Sequence, residues 1–471
     1  MISISLIEKL RAEMEQKYGE NSKPIAVSNA GGLLGCFEHV EDAIEAAKKS
    51  QQELMNLSMK LRGEIIAAMR KASIENAEKL AVMAYEETGM GRVADKIIKN
   101  ILAAEKTPGT EDLKAEAYTG DNGMTLVEMA PYGVIGSITP STNPSSTIIN
   151  NSISMVAAGN GVVFNPHPNA KKVTNETISL LNNAIHNAGG PRELLTSPIN
   201  PTMDTSKVIM SHKDIRMLAI TGGEAVVQVA MKSGKKVIAA GPGNPPVIVD
   251  ETANIKKAAS DIVKGASFDN NVLCTAEKEA FIMNSVFNDV RDEMLQNGAY
   301  HLKRHEIDIV TNEVFMKSKT GETVVNRKYV GKNASDILKA CNIPCSQEYK
   351  LLIAEVTDSH PFVTVEMLMP VLALVRVYSI QEAIDKAVAA EGGRHHTAMM
   401  HSEHVTNLTM AARALDTTIF VKNAPSYAGL GIEGEGFTSL TLATPTGEGV
   451  TSARSFTRLR RCTLSGGFRI V

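Results

Sequence analysis

The 471-residue sequence contains no tryptophan, and aromatic residues make up only 4% of it. This scarcity argues against a carbohydrate platform or a surface on which nucleic-acid bases stack. Positive charge is not in surplus either, because 49 Lys and Arg face 52 Asp and Glu, a formal net charge of -3. Nucleic acid is therefore not the expected partner. The composition, with 43% hydrophobic residues, argues against extensive disorder. The chain is also long enough to bury one or more full hydrophobic cores.

Long apolar runs are also missing. The N-terminus lacks a basic region followed by an apolar run, so no secretory signal is expected. The most apolar stretch, VEMLMPVLALVRV, carries Glu366, Pro370 and Arg376 and is too short to cross a bilayer. These features predict a soluble, cytoplasmic protein.

Cysteine is scarce, and its distribution excludes a disulfide framework. The five cysteines are odd in number and scattered, at Cys36, Cys274, Cys341, Cys345 and Cys462. No second Cys or His pair follows Cys341 and Cys345 at zinc-site spacing. A cluster of four histidines lies between residues 395 and 404, but the alternation HTAMMHS predicts a strand whose two faces would separate the ligands. No metal site is expected.

The first segment has apolar residues at helical spacing, Leu6, Leu10 and Met14, and predicts an amphipathic helix over 1–18. A linker rich in Gly, Asn, Ser and Pro follows over 19–34. A short helix on a tether is not stable alone, so its apolar stripe needs a partner. The residues leave two alternatives: packing on its own subunit or docking on another protein.

The body of the chain changes pattern twice. Residues 40–104 are rich in helix formers, and the tetrad from Gly120 to Gly123 separates two extended runs, which predicts a β-hairpin. From Tyr132 onward, runs such as GVIGSITP, GVVFNP, MLAITGG and KVIAAG alternate with helical stretches, including 171–187 and 224–233. This alternation predicts parallel sheets with helices on their faces.

A second series of apolar runs, PPVIVD, EAFIM, HTAMMHS and TIFVKNA, follows the first. We therefore expect two α/β lobes with a boundary near 241–246. The Thr-, Gly- and Arg-rich tail, which ends in RLRRCTL, is expected to be extended.

Two motifs suggest covalent chemistry. Cys274 lies in SFDNNVLCTAEKEAFI, between a helical stretch and a strand, where backbone N–H groups can lower the pKa of a thiol and hold an oxyanion. A buried, inert cysteine is the alternative. The loop ITPSTNP follows a strand and presents Asn143, whose amide can donate to a developing oxyanion. A simple Asn-Pro turn is the alternative there.

Two further loops suggest nucleotide binding. LAITGGEAVVQVA places Thr221, Gly222 and Gly223 at a helix N-terminus, where backbone donors favour a phosphate. Because it is not G-x-G-x-x-G, this is a weak dinucleotide signal alone. In VVFNPHPNAKK, Asn165 or His167 can meet an adenosine ribose, and a turn that caps a helix is the alternative.

The order Asn143, FNPHPNAKK, TGGE, GPGNPPVIVDETA, Cys274 and HPFVTVEMLMP resembles the aldehyde dehydrogenase superfamily. More narrowly, it resembles the CoA-acylating propionaldehyde, butyraldehyde and acetaldehyde dehydrogenases of bacterial microcompartments. The resemblance covers about residues 35–465. It implies an α/β fold with a Rossmann-like cofactor domain, an α/β catalytic domain and a β oligomerisation arm. The implied boundaries are 35–115 with 133–241 for the NAD/CoA-binding domain, 242–440 for the catalytic domain, and 116–132 with 441–471 for the arm.

The resemblance also implies roles for individual residues. Cys274 becomes the nucleophile, and the Asn143 side chain and the Cys274 backbone N–H become the two halves of an oxyanion hole. Glu366 and Pro370 match the Glu-x-x-x-Pro element that holds the nicotinamide ribose. The residues implied in cofactor binding are Thr142, Asn165, His167, Thr221, Gly222, Gly223, Gly241, Glu366 and Pro370; position 140, which is Pro140, receives no role.

One departure from the superfamily is informative. Hydrolytic members have a Glu that activates water where this sequence has Gly241. Because a thiol ionises more readily than water, the missing base favours release of the acyl group to CoA. The expected activity is NAD-dependent, CoA-acylating oxidation of a short aliphatic aldehyde, with propionaldehyde favoured. The alternatives are an acetaldehyde- or butyraldehyde-specific acylating enzyme, a hydrolytic enzyme, and a non-catalytic scaffold.

The resemblance extends to partners. Members that enter microcompartments carry an N-terminal helix and linker, so residues 1–18 are expected to bind a shell protein and direct the enzyme into the compartment. The hairpin and the tail imply a homo-oligomer, either a dimer or a tetramer. The sequence leaves open the aldehyde chain length and the choice between NAD and NADP.

Overall fold

The computed structural model describes residues 32–318 and 321–471. The predicted helix 1–18 and most of the linker 19–34 lie outside the described residues. The chain divides into two compact units. We call the one with described residues 32–87, 97–240 and 437–471 the N unit, and the one with residues 88–96 and 241–436 the C unit.

After β1 (Cys36–Phe37), four consecutive helices follow, and their buried residues contribute to the N-unit core. They are α1 (Val40–Met55), α2 (Met59–Glu75), α3 (Ala77–Thr88) and α4 (Val93–Lys106). In α2, Ile65, Met69 and Ala72 are fully buried at helical spacing. Ser58 starts this helix by accepting the Leu61 N–H, which is the expected use of an N-terminal serine.

The central sheet of the N unit has six parallel strands in the order β1-β6-β5-β4-β7-β8. The strands are β1 (Cys36–Phe37), β4 (Val134–Thr139), β5 (Gly161–Pro166), β6 (Leu195–Pro198), β7 (Ile215–Thr221) and β8 (Lys236–Ala240). The intervening helices are α5 (Pro144–Ala157), α6 (Lys171–Asn187), α7 (Met203–Ser211) and α8 (Glu224–Met231). Strands β4 and β5 are buried at every position, as a covered parallel sheet requires.

A separate antiparallel sheet of the N unit joins distant parts of the chain. Strands β2 (Glu116–Gly120) and β3 (Gly123–Pro131) form a hairpin, and β20 (Thr457–Ser465) pairs with β3 along its whole length. Gly123 has φ of 117° at the turn, which favours glycine. The short strands β18 (Leu442–Ala443) and β19 (Gly449–Val450) form another antiparallel pair.

The C unit is built on a seven-stranded parallel sheet in the order β11-β14-β15-β10-β9-β16-β17. Its strands are β9 (Pro246–Val249), β10 (Glu279–Met283), β11 (Ala299–His301), β14 (Leu351–Glu355), β15 (Val371–Val377), β16 (Thr397–His401) and β17 (Ile419–Lys422). A small antiparallel pair comprises β12 (Phe315–Lys317) and β13 (Thr323–Val325). The helices are α9 (Ile255–Ser267), α10 (Phe287–Gln296), α11 (Arg304–Val314), α12 (Ala334–Ala340), α13 (Pro361–Thr364), α14 (Ile380–Glu391) and α15 (Val405–Leu415).

The structure confirms the α/β class and the main element predictions. The four predicted strands after Tyr132 are β4, β5, β7 and β8, and the second series gives β9, β10, β16 and β17. The helix predicted over 171–187 has those bounds, whereas the one predicted over 224–233 ends at Met231. The hairpin and the extended tail are also present. No helix within the described ranges is both long enough and apolar enough to cross a bilayer.

Candidate active site

Three of the predicted loops, which follow β4, β5 and β7, lie at the carboxyl edge of the N-unit sheet. The chain runs outward from β4 through β5 to β6 on one side, and β7 and β8 lie on the other side of β4. Ligands of open parallel sheets bind outside the carboxyl ends of the strands at such a switch point. The loops after β4 and β7, which contain Asn143 and Thr221, therefore flank the expected crevice.

Asn143 lies at the start of α5, directly before Pro144. Its side chain is buried, and it makes no capping bond to the helix. Instead, its Oδ1 accepts a hydrogen bond from Lys99 Nζ at 2.5 Å, and its Nδ2 lies 3.3 Å from Thr142 Oγ1. An ammonium group has only donors, so it binds the oxygen end of the amide and leaves the NH₂ end to face the other way.

The loop after β7 fits a phosphate group. Gly223 is the N-terminal cap of α8 and supplies no capping side chain. A Cβ atom added at Gly222 or Gly223 would meet nothing within 4 Å, so the backbone there is open to close approach. The Thr221 hydroxyl is 3.1 Å from that of Thr441. Backbone donors at a helix start in this position suit the pyrophosphate of a dinucleotide.

The structure places Asn165 and His167 differently from each other. Asn165 is buried, and its amide joins β5 to α7 by contacting Ser206 Oγ at 2.7 Å and Thr205 Oγ1 at 2.6 Å. His167 is exposed, and its Nδ1 accepts the Asn169 N–H. The amide of Asn165 is thus engaged in packing, and His167 acts as the cap of a short 3₁₀ turn; their contact with adenosine stays a prediction.

The candidate site residues of the C unit lie at the amino ends of the strands, not at the carboxyl ends. Gly241 precedes β9, Cys274 precedes β10, Glu366 and Pro370 precede β15, and His396 precedes β16. Because these strands are parallel neighbours, their amino ends lie at one edge of the sheet. This edge collects the predicted nucleophile and the predicted Glu-x-x-x-Pro element.

The segment that leads to Cys274 has an uncommon backbone. Asp269, Asn270 and Asn271 are consecutive residues with φ of 46°, 53° and 65°. Left-handed residues other than glycine are strained and persist where surrounding contacts define them. The half-buried thiol of Cys274 follows three residues after this left-handed run.

Each residue of the left-handed run is held by its side chain. Asp269 accepts the Arg92 N–H at 2.6 Å and pairs with Lys96 Nζ at 3.1 Å, both partners lying in the same unit. Asn270 donates to the backbone carbonyl of Gly331 at 2.9 Å. Asn271 donates to the carbonyls of Ala266 and Glu277, at 2.8 Å and 2.9 Å.

Lys278, which follows Cys274 in the chain, binds the residues that precede Cys274 in the same loop. Its Nζ donates to Asn271 O at 3.0 Å, to Asn271 Oδ1 at 2.5 Å and to Leu273 O at 3.2 Å. Burial lowers the pKa of Lys278, while the acidic groups of Glu366 and Cys274 oppose that shift. An ammonium has three hydrogens and meets three oxygens here, which is the arrangement of the charged form.

Glu366 is half-buried and lies at the same amino edge of the C-unit sheet. One carboxylate oxygen lies 3.4 Å from the Gly243 N–H. Burial raises the pKa of Glu366, and the positive charge of Lys278 partly offsets the rise. Leu368, two residues later, has φ of 53°, so the segment between Glu366 and Pro370 is sharply bent.

Lys99, Lys278 and His396 also lie near the candidate site residues and were not predicted from the sequence. His396 is buried, its Nε2 has no hydrogen-bond partner among the described residues, and burial lowers its pKa to about 4. A Cβ atom on Gly243 would be 2.9 Å from His396 Cγ and 2.8 Å from Cys274 O, so glycine permits this approach. We considered the histidines only as metal ligands, and within the described ranges no three potential ligands come together.

Comparison with known proteins gives a consistent picture. The family model "Aldehyde dehydrogenase family" matches residues 34–335. The acetaldehyde dehydrogenase (acetylating) EutE of Escherichia coli (strain K12) is 50% identical over 441 residues, which is 93% of this chain and 94% of that protein.

Two solved structures are similar over nearly the same span. One is a propionaldehyde dehydrogenase from the Clostridium phytofermentans fucose utilisation bacterial microcompartment, with a TM-score of 0.90, 49% identity, and coverage of 93% of this chain and 100% of that chain. The other is the Rhodopseudomonas palustris propionaldehyde dehydrogenase with bound CoA and an acylated cysteine, with a TM-score of 0.89, 46% identity, and coverage of 93% and 99%. With a family model that matches well over half of its length and relatives this similar, the chain belongs to the aldehyde dehydrogenase family.

Proposed function

We propose that this chain is a CoA-acylating aldehyde dehydrogenase that converts a short aliphatic aldehyde, NAD⁺ and CoA into acyl-CoA, NADH and a proton. One observation carries the proposal: similarity to acylating enzymes extends over 93% of the chain. Cys274 stands in a loop defined by Lys278 and the left-handed run, as a positioned nucleophile requires.

The chemistry of the chain's own residues is covalent. The Cys274 thiolate attacks the aldehyde carbonyl, forming a C–S bond and a tetrahedral oxyanion, to which the Asn143 amide and the Cys274 N–H donate. Collapse of the oxyanion expels the aldehyde hydrogen with its electron pair and leaves a thioester on Cys274. The nicotinamide cofactor, when bound, accepts that hydride.

Release of the acyl group depends on what can attack the thioester. The thiolate of CoA adds to the carbonyl, the same donors hold the second oxyanion, and the Cys274 thiolate leaves. With Gly241 in place of a carboxylate, water has no general base at that position. The product is therefore acyl-CoA rather than a carboxylate.

The residues present fit a nicotinamide dinucleotide by their chemistry. Gly222 and Gly223 expose backbone at the start of α8 for a pyrophosphate, and Glu366 offers a carboxylate to ribose hydroxyls. Thr142, Asn165, His167, Gly241 and Pro370 remain proposed members of the cofactor site. NAD is proposed rather than NADP because NAD is the usual cofactor of the family that the sequence resembles.

Propionaldehyde is the favoured substrate, and acetaldehyde is the second candidate. The two solved structures are named propionaldehyde dehydrogenases, whereas the Escherichia coli relative is named acetylating. Relative kcat/KM for acetaldehyde, propionaldehyde and butyraldehyde decides among them.

The test of the activity is NADH formation from propionaldehyde and NAD, with and without CoA, together with identification of the acyl product. Sustained turnover only with CoA, yielding propionyl-CoA, is expected. Equal turnover without CoA, yielding propionate, would identify a hydrolytic enzyme. An absence of NADH and of aldehyde-dependent labelling of Cys274 would favour a non-catalytic scaffold.

The proposal extends to the surroundings of the enzyme. We place it in the cytoplasm, inside a bacterial microcompartment, with residues 1–18 as the segment that binds a shell protein. We also propose a homo-oligomer, a dimer or tetramer, formed through the arm of β2, β3 and β20, on which Tyr118 and Leu459 are 60% and 70% exposed in the single chain.

A further inference from the structure

We propose that two buried lysines, Lys99 and Lys278, are positioning residues that orient the two amide groups whose N–H donors hold the oxyanion. The inference rests on the proposed function, which assigns these donors to the Asn143 side chain and the Cys274 backbone. In each case the lysine binds the oxygen of the amide group that carries the donor. Neither lysine needs to touch substrate for this role.

The geometry is direct for the backbone donor. The Leu273 carbonyl and the Cys274 N–H belong to one peptide group, which is planar and trans, so they point in opposite directions. Lys278 Nζ lies 3.2 Å from Leu273 O. A flipped peptide would turn its N–H toward the ammonium, a donor against a donor. Lys278 therefore keeps the Cys274 N–H directed away from itself.

The ammonium is itself held in place. Its other two contacts are to the carbonyl and the side-chain oxygen of Asn271, at 3.0 Å and 2.5 Å. Asn271 is the last residue of the left-handed run, and its own NH₂ group binds the carbonyls of Ala266 and Glu277. The buried Lys278 ammonium thus connects the left-handed run to the peptide group between Leu273 and Cys274.

The side-chain donor is oriented in the same way. A residue at a helix start commonly uses its side-chain oxygen to cap the helix, but Asn143 makes no such bond. Its Oδ1 is directed to Lys99 Nζ instead. A rotation of the amide by 180° would place its NH₂ against the ammonium, which has no acceptor. Lys99 therefore selects the orientation in which the NH₂ can donate to an oxyanion.

The Lys99 contact is testable by a double-mutant cycle. Four proteins are compared: the parent, Lys99→Met, Asn143→Ala and the double variant. The readout is the single-turnover rate of NADH formation from propionaldehyde. Removal of one oxyanion donor costs about 100-fold or more in other enzymes. We expect Lys99→Met to lose about 10- to 100-fold in the parent and less than about 3-fold when Asn143 is already alanine.

The same loss in both backgrounds would overturn the proposal, because a structural effect of Lys99 would not depend on the Asn143 amide. No loss in the parent would also overturn it. If Lys99→Met fails to fold, Lys99→Gln replaces it, since the glutamine NH₂ can still donate to Asn143 Oδ1, and a loss smaller than that of Asn143→Ala is expected. An inactive parent or an unimpaired Asn143→Ala would instead contradict the proposed function.

The test of the Lys278 contact must distinguish an effect on oxyanion stabilisation from an effect on the reactivity of the Cys274 thiolate. Lys278→Met and Lys278→Gln are compared with the parent in single-turnover NADH formation and in alkylation of Cys274 by iodoacetamide over pH 6–10. Both rates are taken where alkylation has reached its plateau, so a changed thiol pKa does not contribute. Cys274→Ala provides the blank for labelling.

We expect the plateau alkylation rate of Lys278→Met to stay within about 2-fold of the parent while NADH formation falls about 30-fold or more. Lys278→Gln, which retains one N–H for Leu273, should lose less than Lys278→Met. Equal losses in alkylation and NADH formation would show that Lys278 acts on the thiolate or on folding, and would overturn the proposal. Unchanged NADH formation in both variants would do the same.

Discussion

Cys274 is the residue on which the proposed chemistry depends. In Cys274→Ala no C–S bond can form, so propionaldehyde-dependent NADH formation and acyl-enzyme labelling should both be lost completely. The cofactor contacts assigned to other residues remain, so NADH binding, measured by its fluorescence, should stay within about 2-fold of the parent. Residual turnover above the blank, or loss of NADH binding, would contradict this assignment.

Glu277, three residues after the nucleophile, predicts a pH dependence of stability. Burial raises the pKa of Glu277 from 4.5 to about 7, and Asp261 contributes in the same direction. The folded state thus holds a proton that the unfolded state loses above pH 4.5, so this contribution is complete below pH 4.5 and disappears as the pH rises through 7. At 1.36 kcal/mol per pKa unit, the change is about 3 kcal/mol.

The measurement is the free energy of unfolding between pH 5 and pH 8 for the parent, Glu277→Gln and the control Glu38→Gln. Glu277 accepts hydrogen bonds from the Ser426 N–H and hydroxyl, and its carboxylate lies against Gly265. The parent and Glu38→Gln, which changes an exposed side chain, should lose stability with rising pH. Glu277→Gln should lose less; an unchanged slope would show that Glu277 does not titrate in this range.

At the scale of elements, the loop before Cys274 depends on a buried ion pair. Lys96 and Asp269 are 3.1 Å apart, with side chains 3% and 0% exposed. Removal of one partner of such a pair leaves an uncompensated charge and costs about 3–5 kcal/mol. Lys96→Met should therefore lower the free energy of unfolding by that amount, measured by urea denaturation.

A surface pair provides the matched control. Lys79 and Glu176 are 2.6 Å apart, but Lys79 is 49% exposed at its side chain. Lys79→Met should cost at most about 1 kcal/mol. The double variant Lys96→Met with Asp269→Asn should recover part of the loss, since the stranded charge is gone. Equal costs for Lys96→Met and Lys79→Met would contradict the importance of the buried pair.

The antiparallel arm leads to a prediction about assembly. Strand β20 pairs with β3 from Thr457 to Ser465, yet most of its side chains are exposed in the single chain. If the arm forms the proposed oligomer, truncation before Thr457 should give a monomer by light scattering coupled to size exclusion. The milder Leu459→Glu should weaken association in a concentration-dependent way. An oligomer unchanged in both variants would place the interface elsewhere.

At the scale of the whole molecule, the N-terminal segment should separate from catalysis. Deletion of residues 1–18 is expected to leave kcat and KM for propionaldehyde within about 2-fold of the full chain, because the site residues all lie beyond residue 88. The same deletion should abolish co-purification with microcompartment shells. Retained encapsulation would refute the targeting role, and a loss of activity would favour packing of the helix on its own subunit.

Much of the architecture could be predicted because it depends on local patterns. Alternating apolar runs and helical stretches predicted four of the six strands of the N-unit sheet and four of the seven strands of the C-unit sheet, and the tetrad from Gly120 to Gly123 indicated the hairpin. Covered parallel strands read as continuous apolar runs, so their positions are visible in the sequence. The loops of Asn143 and Thr221 follow such strands and the loop of Cys274 precedes one, which is why these residues could be chosen as candidates.

The lysines of the site could not be chosen in this way. Lysine is seldom fully buried, so nothing in the helix segment VADKIIKN singles out Lys96 and Lys99, yet the structure buries both. Lys278 stands in the charged triplet EKE at the start of a strand that is otherwise apolar, and this is the one signal that a buried network was present.

From the sequence came the class of fold, the proposed covalent chemistry through Cys274 and Asn143, and the expected lack of a base at Gly241, because each is a matter of residue type and local order. It took the tertiary structure to show that the buried Lys99 and Lys278 bind Asn143 Oδ1 and the Leu273 carbonyl. Asp269 meets Lys96 across 173 positions of the chain, and three consecutive left-handed residues persist only through such contacts. Burial and hydrogen-bond direction arise when groups that are distant in the chain pack together, so neither can be predicted from local sequence.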